Sequence, residues 1–531
     1  MVMANNLIMK SLPMVASVLG RKYGVKVEIG GVGAYTDGNT IHLPALPLDC
    51  SETLIGLARG YIDHESAHIR ETRFDWLKLA NLTPLERHVW NIIEDWRVEN
   101  RLARLFPGCR NNFNWLIRHL FGDDGDNSTD PAIAILNWLL LSVRSWDVPS
   151  LNTQRDNTSH LVDSHYPGMV NRLSLVLQKV HAYCDSTQEC ILYAREVVSI
   201  IKEQTAIQPP DNGGINVGGS AKNGSSCGLS TGVTSTDSQK SLKRLFDAVD
   251  DDLPRTIGEA LADSLNKETP QNLDNALRVA QLGRKTSKPI QPEDMTATKR
   301  ASAALRTRLH GMMQSSVMTR NKIARHGRLD SRQMHRLAVA DSRVFRQSGK
   351  KQGVNTAVHV LLDCSGSMRR RINLTTQACH AIATALDSIQ GVNVGVTAFP
   401  ARTPTDGGNG NVSGPTVYPI VAHGERIHSN FAMSAAGCTP LAESLWWLLQ
   451  QMLPLPESRK IILILTDGDP DSFSMALKAI DQGESIGIEI YGLGIMSEAI
   501  TKLLPHHSRT INNLSELAPA MFEILQSALL K

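Results

Sequence analysis

The chain has 531 residues, 42% of them hydrophobic and 20% charged, with a formal net charge of +3. That length is enough for several cores, and the composition is that of globular protein. No apolar run reaches the roughly 20 residues of a membrane helix, the nearest being Ala132 to Val143, and a charge this close to neutral singles out no class of partner.

The N-terminus carries Asn5, Asn6, Lys10, Arg21 and Lys22 without the ordered charged, apolar and small-residue regions of a secretion signal. The eight cysteines are scattered, with no CxxC pair. They read as reduced thiols in or near cores rather than as a disulfide framework or a cysteine zinc site. Both features predict a cytoplasmic protein.

Residues 1–205 read as mainly helical, with short strands near the start. Val25 to Ile29 and Thr40 to Leu43, joined through Thr36-Asp37-Gly38-Asn39, predict a hairpin. A helix from Glu52 to about Phe74 carries His64-Glu65-Ser66-Ala67-His68, an HExxH motif. Residues four apart share a helix face, so His64 and His68 can reach one Zn²⁺. Glu65 is placed to act as general base on a zinc-bound water. A second helix, Asn91 to Glu99, offers acids for the third ligand. Glu94 is the first choice and Asp95 the alternative, with the remaining acids orienting the histidines. This arrangement resembles metallopeptidases whose third zinc ligand is a glutamate. The resemblance implies a zincin-like α+β domain with an edge strand over the zinc. A structural zinc, or no metal at all, is the competing reading. His42, His88 and His119 have no ligand spacing and read as structural.

Residues 206–240 are rich in Gly, Ser, Asn and Thr and predict a flexible linker. Residues 241–350 predict helices. Between Lys299 and Lys351 the only acids are Asp330 and Asp341, against fourteen Lys and Arg. A solvated helical face or a docking surface for an acidic protein is the favoured reading of this charge, with nucleic acid as the alternative.

From 351 to 531 strands and helices alternate, which predicts a doubly wound, parallel α/β sheet. The expected strands are Ala357 to Leu362, Val392 to Phe399, Lys460 to Leu465 and Gly487 to Leu493. The helices run from about Thr375 to Ile389, Leu441 to Met452 and Leu514 to Leu530. Asp363 and Asp467 close two strands, Ser365 and Ser367 follow the first, and Thr439 opens a helix. Ligands in such sheets bind at the carboxyl ends of strands. A set of hydroxyls with one or two carboxylates suits Mg²⁺, with Ca²⁺ or Mn²⁺ as alternatives, and leaves a coordination position for an outside carboxylate.

The DxSxS, the downstream Thr and the TDG after a strand resemble the metal-ion-dependent adhesion site (MIDAS) of von Willebrand factor A (VWA) domains. The resemblance makes Asp363, Ser365, Ser367, Thr439 and Asp467 its metal residues. From about Ser302 onward, through Arg325-His326-Gly327-Arg328-Leu329-Asp330, Arg336-Leu337 and Val344-Phe345, the chain is similar to the T subunit of aerobic cobaltochelatase. That subunit typically has a long acidic stretch between its halves, where this chain has the Gly/Ser segment. The combination of HExxH, an EDxRxE helix and a VWA domain also resembles metallopeptidase-like partners of MoxR-type ATPases. These resemblances imply a MoxR-type AAA+ ATPase ring as partner, engaged through the MIDAS, and a protein substrate or client. The chain has no GxxxxGK[ST] motif, so ATP hydrolysis would come from the partner. Two functions follow as expectations. One is remodelling or cleavage of a protein by a zinc metallopeptidase-like domain. The other is a non-catalytic, cobaltochelatase T-like adaptor that couples an ATPase to metal insertion or to a client.

Overall fold

The computed structural model describes residues 12–31, 33–47, 51–121, 130–206, 235–267, 276–284, 287–317, short stretches between 322 and 347, 355–401 and 414–529. The chain opens with helix α1 (Leu12–Tyr23) and four short strands: β1 (Lys26–Gly31), β2 (Tyr35–Thr36), β3 (Thr40–Pro44) and β4 (Leu46–Pro47). Helices α2 (Glu52–Glu71), α3 (Phe74–Ala80), α4 (Pro84–Leu105), α5 (Gly108–Phe121), α6 (Pro131–Ser145), α7 (Asn152–His165), α8 (Met169–Tyr183) and α9 (Thr187–Ala206) follow.

The expected hairpin is corrected in one respect. β1 pairs with β3 in parallel, and the tight turn at Asp37–Asn39 instead joins β3 to the two-residue β2. The Glu52 helix also stops at Glu71, because Thr72 is extended and the chain restarts as α3. The apolar run from Ala132 lies within α6, which packs among Trp90, Ile93, Leu173 and Val197. Among the described residues no helix is long and apolar enough to cross a membrane.

Most of the expected 206–240 linker lies outside the described residues, and its last part belongs to helix α10 (Ser235–Asp247). The middle region is not purely helical. It holds α11 (Ile257–Lys267), β5 (Ala276–Leu277), β6 (Gln281–Leu282), α12 (Pro292–Val317) and three short strands, β7 (Lys322–Ala324), β8 (Arg328–Leu329) and β9 (Phe345–Gln347). Nor does it form a unit of its own. β5 pairs with β4, whereas β6 joins the edge of the C-terminal sheet. Between them Val279 N donates to Ile29 O and Ala280 N to Glu443 O, both at 3.1 Å. On α12 the basic residues Lys299, Arg300, Arg306 and Arg308 are exposed. Most of the remaining basic segment, including Arg325, Gly327 and Asp330, lies outside the described residues.

The C-terminal region contains β10 (Thr356–Asp363), α13 (Ile372–Asp387), β11 (Val392–Phe399), β12 (Thr416–Val421), α14 (Leu441–Met452), β13 (Arg459–Thr466), α15 (Phe473–Ser485), β14 (Ile488–Ile495), α16 (Ala499–Leu503), β15 (Ser508–Ile511) and α17 (Leu517–Leu529). The sheet order is β15-β14-β13-β10-β11-β12-β6. All neighbours are parallel except β11 and β12. Strands buried on both faces read as continuous apolar runs, as β10 does. Its Val358, Val360 and Leu362 pack with α13, while Ala357 and Leu361 face the opposite cluster.

That second cluster also contains Met14, Tyr23, Ile29 and Leu57, so the two ends of the chain share one apolar core. Gln450 Nε2 donates to Pro13 O at 2.9 Å across the same junction.

Candidate metal centres

The N-terminal centre is a contact between two long helices. Ser51 caps α2 by accepting from Leu54 N, and Thr83 with Glu86 forms a capping box at the start of α4, with Pro84 in its first turn. Each helix brings an i, i+4 pair to the contact, and the pairs match rung by rung. His64 Nδ1 lies 2.8 Å from Glu99 Oε1, and His68 Nε2 lies 3.0 Å from Asp95 Oδ1. His68 Nδ1 is 3.1 Å from Thr72 Oγ1. One ligand atom each from His64, His68 and Asp95 lie within 4.8 Å of one another. A His₂Asp donor set with the imidazoles oriented by Glu99 and Thr72 fits Zn²⁺ with an outside ligand in the fourth position.

Glu94, the first choice from the sequence, points elsewhere. Arg97 donates to its two oxygens at 2.9 and 2.7 Å, and Thr72 and Thr187 each donate to it at 2.9 Å. Burial alone would raise its pKa, but Arg97 reverses the sign and holds it below the ordinary value. Asp95, the alternative, pairs with His68 and is the acid whose oxygen lies within 4.8 Å of a nitrogen of each histidine. Burial would lower the His64 pKa, but the Glu99 hydrogen bond and the charges of Asp95, Glu99 and Glu65 outweigh it and push it up to about 9. The pocket is therefore electrostatically prepared for a cation.

Glu65 Oε2 accepts from Thr36 Oγ1 at 2.8 Å. The first turn of α11 lies above it, since a Cβ added at Gly258 would stand 3.4 Å from both Glu65 Oε1 and His64 Nε2. Arg144 reaches Glu99 Oε2 at 2.5 Å and Asp95 Oδ2 at 3.5 Å. Thr72, Arg144 and Gly258 carry no motif signal in the sequence. Of the lone histidines, His42 stacks on Tyr35 with ring centroids 4.3 Å apart, and His119 stacks on Trp115 at 5.2 Å.

The C-terminal centre is assembled from loops at the carboxyl edge of the sheet. Parallel pairing sets Leu362 beside Leu465, which brings Asp363 level with Thr466. Asp363 Oδ1 accepts from Ser365 N at 2.8 Å, and Oδ2 accepts from Thr466 Oγ1 at 2.5 Å. Ser365 Oγ and Ser367 Oγ are 2.9 Å apart, and Ser367 Oγ donates to Asp467 Oδ1 at 2.7 Å.

The third loop is tied down by Gly366 N donating to Gly437 O at 2.9 Å, with Gly437 at φ +87°. Thr439 N donates to Asp471 Oδ1 at 2.8 Å. A Cβ at Gly468 would stand 3.2 Å from Ser367 Oγ and 3.9 Å from Thr439 Oγ1. The five residues therefore converge around one point. Burial, followed by the nearby Asp467 charge, raises the Asp363 pKa to about 6 against the pull of Thr466 and Ser365. Buried carboxylates with hydroxyl neighbours form a hard oxygen donor set, which fits a divalent cation such as Mg²⁺.

The fold and this loop arrangement define a VWA-like C-terminal domain. Residues 8–132 match the family described as cobalamin biosynthesis protein CobT, and residues 344–413 match the cobalamin biosynthesis protein CobT VWA domain. The chain is thus CobT-like at its N-terminal end and again at the start of its VWA domain.

Solved structures with similar chains include the manganese-loaded TRAP protein of Plasmodium vivax, with 12% identity, TM-score 0.25, and coverage of 32% of this chain and 72% of that one. Another is proximal thread matrix protein 1 of the mussel byssus with a zinc-occupied MIDAS motif, with 15% identity, TM-score 0.26, and coverage of 33% and 46%. A third is a von Willebrand factor type A protein from Catenulispora acidiphila, with 20% identity, TM-score 0.25, and coverage of 32% and 42%. The chain therefore spans less than half the length of the last two. A comparison with curated proteins returns no match.

Proposed function

We propose that this protein is a CobT-like, non-catalytic VWA subunit that couples a MoxR-type AAA+ ATPase to a client, with insertion of a metal ion into a tetrapyrrole as the client reaction. The observation that carries this reading is the convergence of Asp363, Ser365, Ser367, Thr439 and Asp467 at the sheet edge of a chain that matches CobT families over residues 8–132 and 344–413. Mg²⁺ bound there supplies a positive centre for a carboxylate of the ATPase. The protein's residues hold that ion, and the partner's acid completes its coordination. The protein works in the cytoplasm, the ATPase provides the hydrolysis, and the inserted metal is cargo. The test is co-purification with the cognate ATPase. Association in Mg²⁺ that is lost in EDTA and in Asp363→Ala is expected. Equal association in all three samples contradicts the reading.

A second reading is favoured by the N-terminal centre alone. His64, His68 and Asp95 hold Zn²⁺, and Glu65 acts as general base of a peptidase. It predicts ATPase-dependent cleavage of a client that Glu65→Gln abolishes while zinc is retained. The position of α11 over Glu65 and His64 favours a structural zinc instead, for which Glu65→Gln changes nothing.

A further inference from the structure

The run Arg369-Arg370-Arg371 directly follows the loop that carries Ser365 and Ser367. Arg369 and Arg370 are exposed. Arg371, at the N-cap of α13, turns inward, and its guanidinium donates to Asp467 Oδ2 at 2.8 Å. The other oxygen of Asp467 accepts from Ser367 Oγ at 2.7 Å, and the Asp467 side chain is fully buried. Both oxygens of this carboxylate are therefore committed. One is held by a hydroxyl that belongs to the cation site, the other by a permanent cation.

We propose that Arg371 is a positioning residue that acts as a built-in counter-cation of the C-terminal site. It holds Asp467 one hydroxyl away from the ion, weakens binding of the ion alone, and leaves the loaded site net positive. This rests on the C-terminal site being a cation site, as proposed above. The charge count gives the reason. Asp363 and Asp467 together neutralise a divalent ion, and Arg371, whose side chain is 31% exposed, adds one positive charge in direct contact with the buried Asp467 carboxylate. A loaded site with a surplus positive charge draws in an external carboxylate more strongly than a neutral one does. Cation and partner then bind as a coupled pair, and the ion alone is held loosely.

A merely structural Arg371 predicts the opposite sign for its removal. If it only props Asp467, its loss weakens cation binding. If it is a counter-cation, its loss strengthens binding. Arg371→Gln and Arg371→Ala both remove the charge, and Arg371→Lys keeps it. The probe is Mn²⁺ alone, titrated into the full chain and read by the electron paramagnetic resonance signal of the free ion, counting only binding that Asp363→Ala removes. Both neutral variants are expected to bind Mn²⁺ about tenfold tighter than wild type. The lysine variant is expected to stay within about twofold. Unchanged or weaker binding in the neutral variants, beside a wild type that binds, overturns the role of Arg371 and leaves the cation site standing. Wild-type binding that is indifferent to Asp363→Ala overturns the cation site itself, and the role of Arg371 with it.

Discussion

At the N-terminal centre every donor rides on one of two long capped helices, and each histidine meets an acid on the facing helix. At the C-terminal centre the donors come from three loops held by backbone hydrogen bonds and by the register of a parallel sheet. The first centre is buried between helices and further covered by α11. The second lies along the carboxyl edge of the sheet, where ligand sites in such folds face outward. Donors fixed on regular elements make a site for holding an ion. Donors on loops at an open edge leave a site that a second molecule can reach. The two centres nevertheless share one body, because a single apolar cluster runs from Met14 to Met452 and includes Leu361.

The largest expected effect breaks the helical side of this contrast. Arg97→Met leaves Glu94 buried without its cation, and losing one partner of a buried pair costs about 3–5 kcal/mol. A urea denaturation midpoint well below that of wild type is the expected result. A midpoint that does not move means that Glu94 is free to turn toward the histidines.

Next is the junction between the halves, where His359 Nδ1 lies 2.9 Å from His423 Nε2. A Cβ at Gly395 would stand 2.5 Å from His359 Nδ1 and 2.8 Å from His423 Nε2. Gly395→Ala is therefore expected to cost about 1–3 kcal/mol by overpacking, read as a lower thermal midpoint.

The third prediction concerns pH at the loop centre. The Asp363 pKa is raised to about 6, so between that value and its ordinary range the folded, cation-free chain binds more protons than the unfolded one. The stability of that form falls as pH rises through this window. Cation binding needs the ionised carboxylate, so affinity should weaken by about tenfold per pH unit below pH 6, measured by Mn²⁺ titration. A flat profile from pH 5 to 7 would contradict it.

The smallest effect is at the rim, where Lys502 and Asp469 are paired at 3.1 Å and both are well exposed. Lys502→Ala should change stability by less than about 1 kcal/mol and leave cation binding intact.

The loop centre was more legible in the sequence than the helical one. Each of its donors follows an apolar run or opens a helix, so strand ends could be read directly and the site lies where strands end. The histidine pair was also legible, because an i, i+4 spacing fixes a shared face. The choice between Glu94 and Asp95 was not. Adjacent helical residues point roughly 100° apart, and which one faces α2 depends on how two helices meet. A local signal did exist, since Arg97 at i+3 claims Glu94. Thr187, however, comes from a helix 93 residues away in sequence.

Strands β5 and β6 are two residues each and carry no periodicity, so the middle region read as helices. β12 carries no continuous strand signal, because Pro419 interrupts its run. It also turns the edge of the expected parallel sheet antiparallel.

The most direct test of two separable centres is elemental analysis of the full chain after dialysis against Zn²⁺ and Mn²⁺, for wild type, His64→Ala and Asp363→Ala. The account predicts one zinc that only His64→Ala removes and one manganese that only Asp363→Ala removes. Loss of both metals in either variant, or no metal in wild type, would contradict it.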